Sequence, residues 1–158
     1  MLREVEEGIA AVIREDPAIL AAGNISVVVE DKACLAYEIA QALGSLGVCV
    51  TVSVTGFDKR ADMGPMVQGT LHIEIACYEH PELNRQDAST PTAQWTMEHL
   101  ARILNWRRVP QLTNKLIFKD FSRDDVEEAN IVRGRFDAEH RLGFEEQRAE
   151  TGATPIKE

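Results

Sequence analysis

At 158 residues with a hydrophobic fraction of 44%, the chain has the size of one domain and can bury a core without disulfide or metal staples. Its net charge of −9 leaves no global basic field, which argues against a nucleic-acid backbone or an anionic membrane as partner. Cys34, Cys49 and Cys77 lie in apolar segments without close-paired spacing, the pattern of buried free thiols in a reducing compartment. The charged N-terminus lacks a signal-like apolar region and no apolar run is long enough to span a bilayer, so synthesis and residence in a cytoplasm are expected.

The first helix is expected over Leu2 to Ala22. Leu2, Val5, Ile9, Val12 and Ile13 share one face, while Arg3, Glu6, Glu7 and Arg14 share the other. Asp16 and Pro17 kink or restart it, and Gly23-Asn24 ends it. Ile25 to Val29 is a β-branched run and reads as a short strand. Asp31 caps a second helix through Leu35, Ile39, Leu43 and Leu46, closed by Gly47.

Val48 to Val54 alternates as a strand should, with Val48, Val50, Val52 and Val54 on one side. Thr55 to Met66 is too long and too charged for a tight turn, and reads as an extended hairpin arm or loop. Val67 to Cys77 alternates again. Val67, Gly69, Leu71, Ile73, Ile75 and Cys77 form a core face against Gln68, Thr70, His72, Glu74 and Ala76. After a polar loop, Thr90 caps a third helix with Pro91 at its first position, running to about Asn105. Trp95 and Trp106 flank that helix and read as core, with a surface tryptophan offering an interface anchor.

Leu116 to Phe118 and Ile131 to Leu142 are the last strands. In the latter, Val132, Gly134, Phe136, Ala138, His140 and Leu142 share a face. Arg133, Arg135, Asp137, Glu139 and Arg141 share the opposite, strongly charged one. From Glu145 the apolar signal disappears, giving a domain over 1–144 and a polar tail over 145–158. The element order implies an α+β fold: a single, mainly antiparallel sheet with amphipathic helices packed on one face and a long hairpin arm.

Chemistry is sparse. His72 and Glu74 share a strand face and His80 follows, residue types that suit a metal, but Cys77 lies on the opposite face and there is no second ligand pair. No cysteine has the exposed setting of a nucleophile. Asp124, Asp125, Glu127 and Glu128 lack the spacing of a calcium loop and read as a solvated turn or helix start. Glycines 44, 47, 56, 64 and 69 match no phosphate loop. No catalytic residue, metal or cofactor is assigned.

Three segments carry a resemblance: the strand Leu71-His-Ile-Glu-Ile-Ala-Cys77, the loop Glu79-His-Pro-Glu-Leu-Asn-Arg85, and the helix Thr92-Ala-Gln-Trp-Thr-Met-Glu-His-Leu-Ala-Arg-Ile-Leu104. With the leading helix, the arm and the late charged strand, the chain over roughly residues 1–144 resembles the tail-terminator and tail-completion proteins of long-tailed bacteriophages, the minor tail protein U type. That resemblance implies a virion protein made in a bacterial cytoplasm. It would form a ring, a hexamer, at the head-proximal end of the tail, stopping tail-tube polymerisation and meeting the head-tail connector or neck. Its partners would be copies of itself, the tail-tube protein and the connector, with no sequence-specific nucleic acid and no membrane. The strand and helix over Ile25 to Leu46 and the polar tail depart from the smaller members, which keeps a neck or tail-tube role as an alternative. A small cytosolic metal-dependent enzyme using His72, Glu74 and His80 is the rival of another class.

The interface residues expected are Asp58, Lys59, Arg60 and Asp62 on the arm and Arg133, Arg135, Asp137, Glu139 and Arg141 on the last strand. Mixed charges set register across an interface, and a charged sheet face is buried only by pairing its charges with a partner.

Overall fold

The computed structural model describes residues 2–29, 47–63, 66–80, 91–126 and 129–142. Five strands form one mixed sheet in the order β1-β2-β3-β5-β4. They are β1 (Ile25–Val29), β2 (Val48–Met63), β3 (Met66–Glu79), β4 (Ile117–Val126) and β5 (Ala129–Leu142). Only β1 and β2 run parallel; the other neighbours are antiparallel. The fold is α+β, with helices over one face.

Helix α1 (Leu2–Glu15) buries Val5, Ile9 and Ile13, spaced four residues apart and so stacked on one stripe. Asp16 breaks the helix. Its backbone is extended and its carboxylate accepts from the amides of Ala18 and Ile19, which starts α2 (Pro17–Ala22) with proline at its first turn. The single helix expected to Ala22 is therefore two. Gly23, at φ 71°, ends α2. The helix and tail expected over 31–46 and 145–158 lie outside the described residues.

Helix α3 (Ala93–Leu104) buries Ala93, Met97, Leu100 and Leu104. Its cap is Thr92, whose hydroxyl accepts from the Trp95 amide at 3.0 Å, and not Thr90. Pro91 thus precedes the cap and does not occupy the first helical position. Asn105 closes the helix as expected. Both tryptophans are corrections: Trp95 is 40% and Trp106 65% exposed. The core stripe of α3 is already filled by Met97, Leu100 and Leu104, and Trp95 points away from it.

Leu71, Ile73 and Ile75 of β3 lie in one core with Val48, Val50 and Val52 of β2, Phe136 and Ala138 of β5, and the buried stripes of α1 and α3. The segment expected as an extended hairpin arm or loop is the arm: Thr55 to Met63 continue β2, paired with β3 out to Met63 opposite Met66, while β5 follows β3 to Leu142 opposite Val67. The arm is the outer part of a sheet whose two hairpin strands are longer than β1. Asp124 likewise belongs to β4, opposite Ile131, and not to a turn or helix start.

Bulges decide which way the arm's side chains point. Strict alternation from Val48 would place Asp58 on the core side. An extra residue between Val54 and Gly56 reverses the phase. Phe57 then packs against the core, and Asp58 falls on the polar side opposite Thr70. Gly69 makes room for this path, since a Cβ there would sit 2.1 Å from the Asp58 carbonyl oxygen.

Two stability predictions follow from this packing. Ile73→Ala, at a site 1% exposed, lowers the unfolding free energy by about 2–5 kcal/mol; an unchanged urea midpoint would move the buried face by one register position. Gly69→Ala forces the β2 backbone aside and costs about 1–3 kcal/mol, read in the same titration.

Candidate assembly surface

The second face of the sheet is buried at one end, where Cys49, Thr51, Ser53 and Ala76 lie, and charged toward the arm. Strand register brings its charges into contact within the chain. His72 on β3 lies between two carboxylates, its Nε2 2.7 Å from Asp58 Oδ2 on β2 and its Nδ1 2.8 Å from Asp137 Oδ1 on β5. Glu139 of β5 accepts from Thr70 at 3.1 Å and pairs with Arg60. Arg133 donates to Glu74 at 3.1 Å. Arg135 makes a two-pronged bond to Asp120 of β4, with Nε 2.6 Å from Oδ1. A second bulge, between Phe118 and Asp120, turns that carboxylate to the polar side while Phe118 and Phe121 stay on the helix side.

The result is a ladder of opposite charges across four strands. It lines a cleft of about 590 Å³ bounded by Thr55, His72, Glu74, Lys119, Arg135 and Asp137. Of the residues expected at an interface, Asp58, Arg60, Arg133, Arg135, Asp137 and Glu139 meet one another or their neighbours in this ladder. Lys59 is exposed beside it, and Asp62 pairs through its strand with Val67. Arg141 does not join the ladder. Its backbone amide donates to Thr113 Oγ1 at 3.1 Å, and its Nε is buried without a hydrogen-bond partner among the described residues. The premise that these charges need a second molecule is therefore corrected: six of them are satisfied inside the subunit. Asp120 and Thr70 were missed by sequence reasoning, because cross-strand partners become visible only once register is known.

The hydrogen bonds to Asp58 and then Asp137 hold the His72 imidazole protonated above its ordinary range, outweighing partial burial. Only the imidazolium can donate from both ring nitrogens at once. Burial, with Cys49 and Glu79 nearby, pushes the Cys77 thiol far above its ordinary range, a setting opposite to that of a nucleophile. His140 is buried on the core face, and that burial lowers its pKa.

On the helix side, His99 Nε2 lies 2.7 Å from the same Asp16 oxygen that caps α2. Burial pushes that carboxyl up, but the bonds from His99 and the Ile19 amide more than offset it and hold it below the usual range. The Trp95 ring stacks on His99, with centroids 5.3 Å apart and planes 3° apart. Beyond it, Phe121 at the sheet edge is 48% exposed. At the end of α3, the Lys115 ammonium lies 5.5 Å from the centre of the Trp106 ring.

No family model matches the chain, and no curated protein matches it. Among solved structures, a chain from the virion of a native gene transfer agent particle is similar, with a TM-score of 0.60 at 12% identity, over 87% of this chain and 94% of that one. This likeness shows a shared fold. No helix among the described residues is long and apolar enough to cross a membrane.

The His72 bridge predicts a pH dependence with a defined sign. Because the native pKa is raised above the ordinary value of 6.5, the stabilisation is fully present below about pH 6.5 and is lost as pH rises through the native value. Urea titrations across that range should show wild type losing stability relative to His72→Gln. Parallel curves for the two proteins would mean that the bridge does not form in solution.

Proposed function

We propose that this chain is a structural subunit of a phage-like virion, and that it forms a closed ring at the head-proximal end of a tail. In that place the ring ends tail-tube polymerisation and joins the tail to the head connector or neck. The observation that carries the reading is the fold shared over most of both chains with a component of a gene transfer agent virion. The ring, hexameric on this reading, and the terminator role extend that observation through the resemblance of the sequence to tail-completion proteins.

Sheet topology supports a ring. Among the described residues, no strand flanks β4 on its outer side, and β1 covers β2 only as far as Val52. These two free edges lie on opposite sides of the sheet. The first donor of the β2 edge is closed internally, Val54 N–H donating to Glu6 Oε1 at 2.8 Å. The remainder offers backbone donors and acceptors to a neighbour. A contact from one edge to the opposite edge of the next copy is heterologous, and heterologous contacts make rings when the rotation closes.

An enzymatic role finds less support. His72 is engaged by Asp58 and Asp137, and Glu74 by Arg133. We assign the chain no catalytic function, metal or cofactor.

The test is assembly. Reversing Lys59 and Arg60 to glutamate should lower ring formation and particle yield. Because Arg60 pairs with Glu139, the reversal also weakens the subunit, and a urea titration of the isolated subunit separates the two effects. Native mass spectrometry of the subunit with tail-tube protein reads the ring, and electron microscopy reads tail length. Particles of normal yield and tail length carrying the double reversal would remove the arm from the interface. A particle reconstruction with the chain away from the tail end would sink the terminator role.

A further inference from the structure

Arg60, Arg133 and Arg135 on the sheet face pair with carboxylates; the cations at the end of α3 have no such partner among the described residues. Trp106, Arg107 and Arg108 follow the helix in sequence, and all three are exposed. Among the described residues, no carboxylate pairs with Arg107 or Arg108. Trp106 is the one described residue other than glycine at positive φ, 65°. That conformation is costly for a bulky side chain and persists only where the surroundings over-determine it.

Here they do. Trp106 N–H donates to the Leu116 carbonyl at 2.7 Å, Arg107 N–H to that of Leu104 at 2.9 Å, and Leu116 N–H to that of Arg107 at 3.0 Å. Beneath this knot, Leu104, Val109, Leu112 and Leu116 are buried in the core. The chain therefore spends backbone strain to present an indole, 65% exposed, beside two guanidinium groups that have no carboxylate partner among the described residues. None of these contacts is needed to bury the tryptophan, which stays in water.

We propose that this corner, Trp106 with Arg107, Arg108 and Lys115, is a docking site for a carboxylate-rich segment of another protein. Guanidinium groups bind carboxylates in two-pronged geometry. An exposed tryptophan with arginines beside it has the composition of an interface hot spot. A nucleic acid is the weaker fit. Its binding grows with the number of phosphates neutralised, and the patch is small. The site is built from the end of α3 and the segment leading into β4, and uses none of the arm or ladder residues, so it goes beyond the ring contacts argued above.

The test uses the full chain and a fluorescein-labelled peptide of alternating aspartate and leucine, followed by fluorescence anisotropy at low and physiological salt. A single-stranded oligonucleotide of equal negative charge is titrated in parallel. Wild type should bind the peptide in preference to the oligonucleotide. Arg107→Glu with Arg108→Glu, and separately Trp106→Gly, should each weaken peptide binding about tenfold or more. Trp106→Gly guards against misfolding as an explanation, since glycine accepts the positive φ and the melting temperature should not fall. Peptide affinity unchanged in either variant would overturn the proposal. Tighter binding of the oligonucleotide would overturn it in favour of nucleic acid. Self-association of wild type by sedimentation, lost in both variants, would make the occupant a second copy and overturn the choice of a different protein.

Discussion

One extra residue in β2 sets the character of a whole face. Side chains alternate along a strand, so the phase established by Val48, Val50 and Val52 would carry Asp58 into the core and leave Phe57 in water. The bulge after Val54 reverses that phase. Asp58 then meets His72, and through it Asp137, across three strands. The bulge in β4 does the same for Asp120 and Arg135. Without these two irregularities the sheet would carry buried carboxylates and exposed phenylalanines at its arm end. Burying an unpaired carboxylate is far more costly than losing a ladder hydrogen bond.

The charge ladder owes its value to register more than to stability. Exposed ion pairs add little net free energy, because side-chain ordering and solvent screening offset the attraction. A shift of one residue between β3 and β5, however, would bring every opposite pair to the wrong face. The ladder thus specifies how two hairpins meet. Once its charges are matched internally, it presents a balanced face to a neighbour. The corner at Trp106 is the reverse case, with cations that no carboxylate matches among the described residues.

Periodicity made much of this legible. The stripe of α1, the β-branched β1, the core face of β3 and the two faces of β5 all follow from spacing alone. The irregular features did not. A bulge is a single inserted residue, and its trace was the clash between Phe57 and Asp58 in the expected phase. The cap of α3 was expected at Thr90, and the backbone places it at Thr92. The tryptophans were read as core from their size, yet the apolar stripe they flank was already filled. The pairing of Arg135 with Asp120 needed strand order, since those residues lie 15 positions apart on strands whose hairpin was not evident. Six of the expected interface residues lie in the ladder, and of these Arg60 and Glu139 pair with each other while the rest pair with His72, Glu74 and Asp120.

The seam between β3 and β5 has a kinetic side. The β2–β3 and β4–β5 hairpins each join nearby residues, whereas the side-chain bonds across the seam link residues 51 to 69 positions apart. Closing that long loop costs chain entropy before its contacts form. Loop closure alone thus favours the two hairpins forming before the charged seam. Interactions made after the transition state act on the rate of opening and leave the rate of folding nearly untouched. The ladder thus works as a late-closing fastener: weak at equilibrium, yet placed where it lengthens the lifetime of the closed sheet.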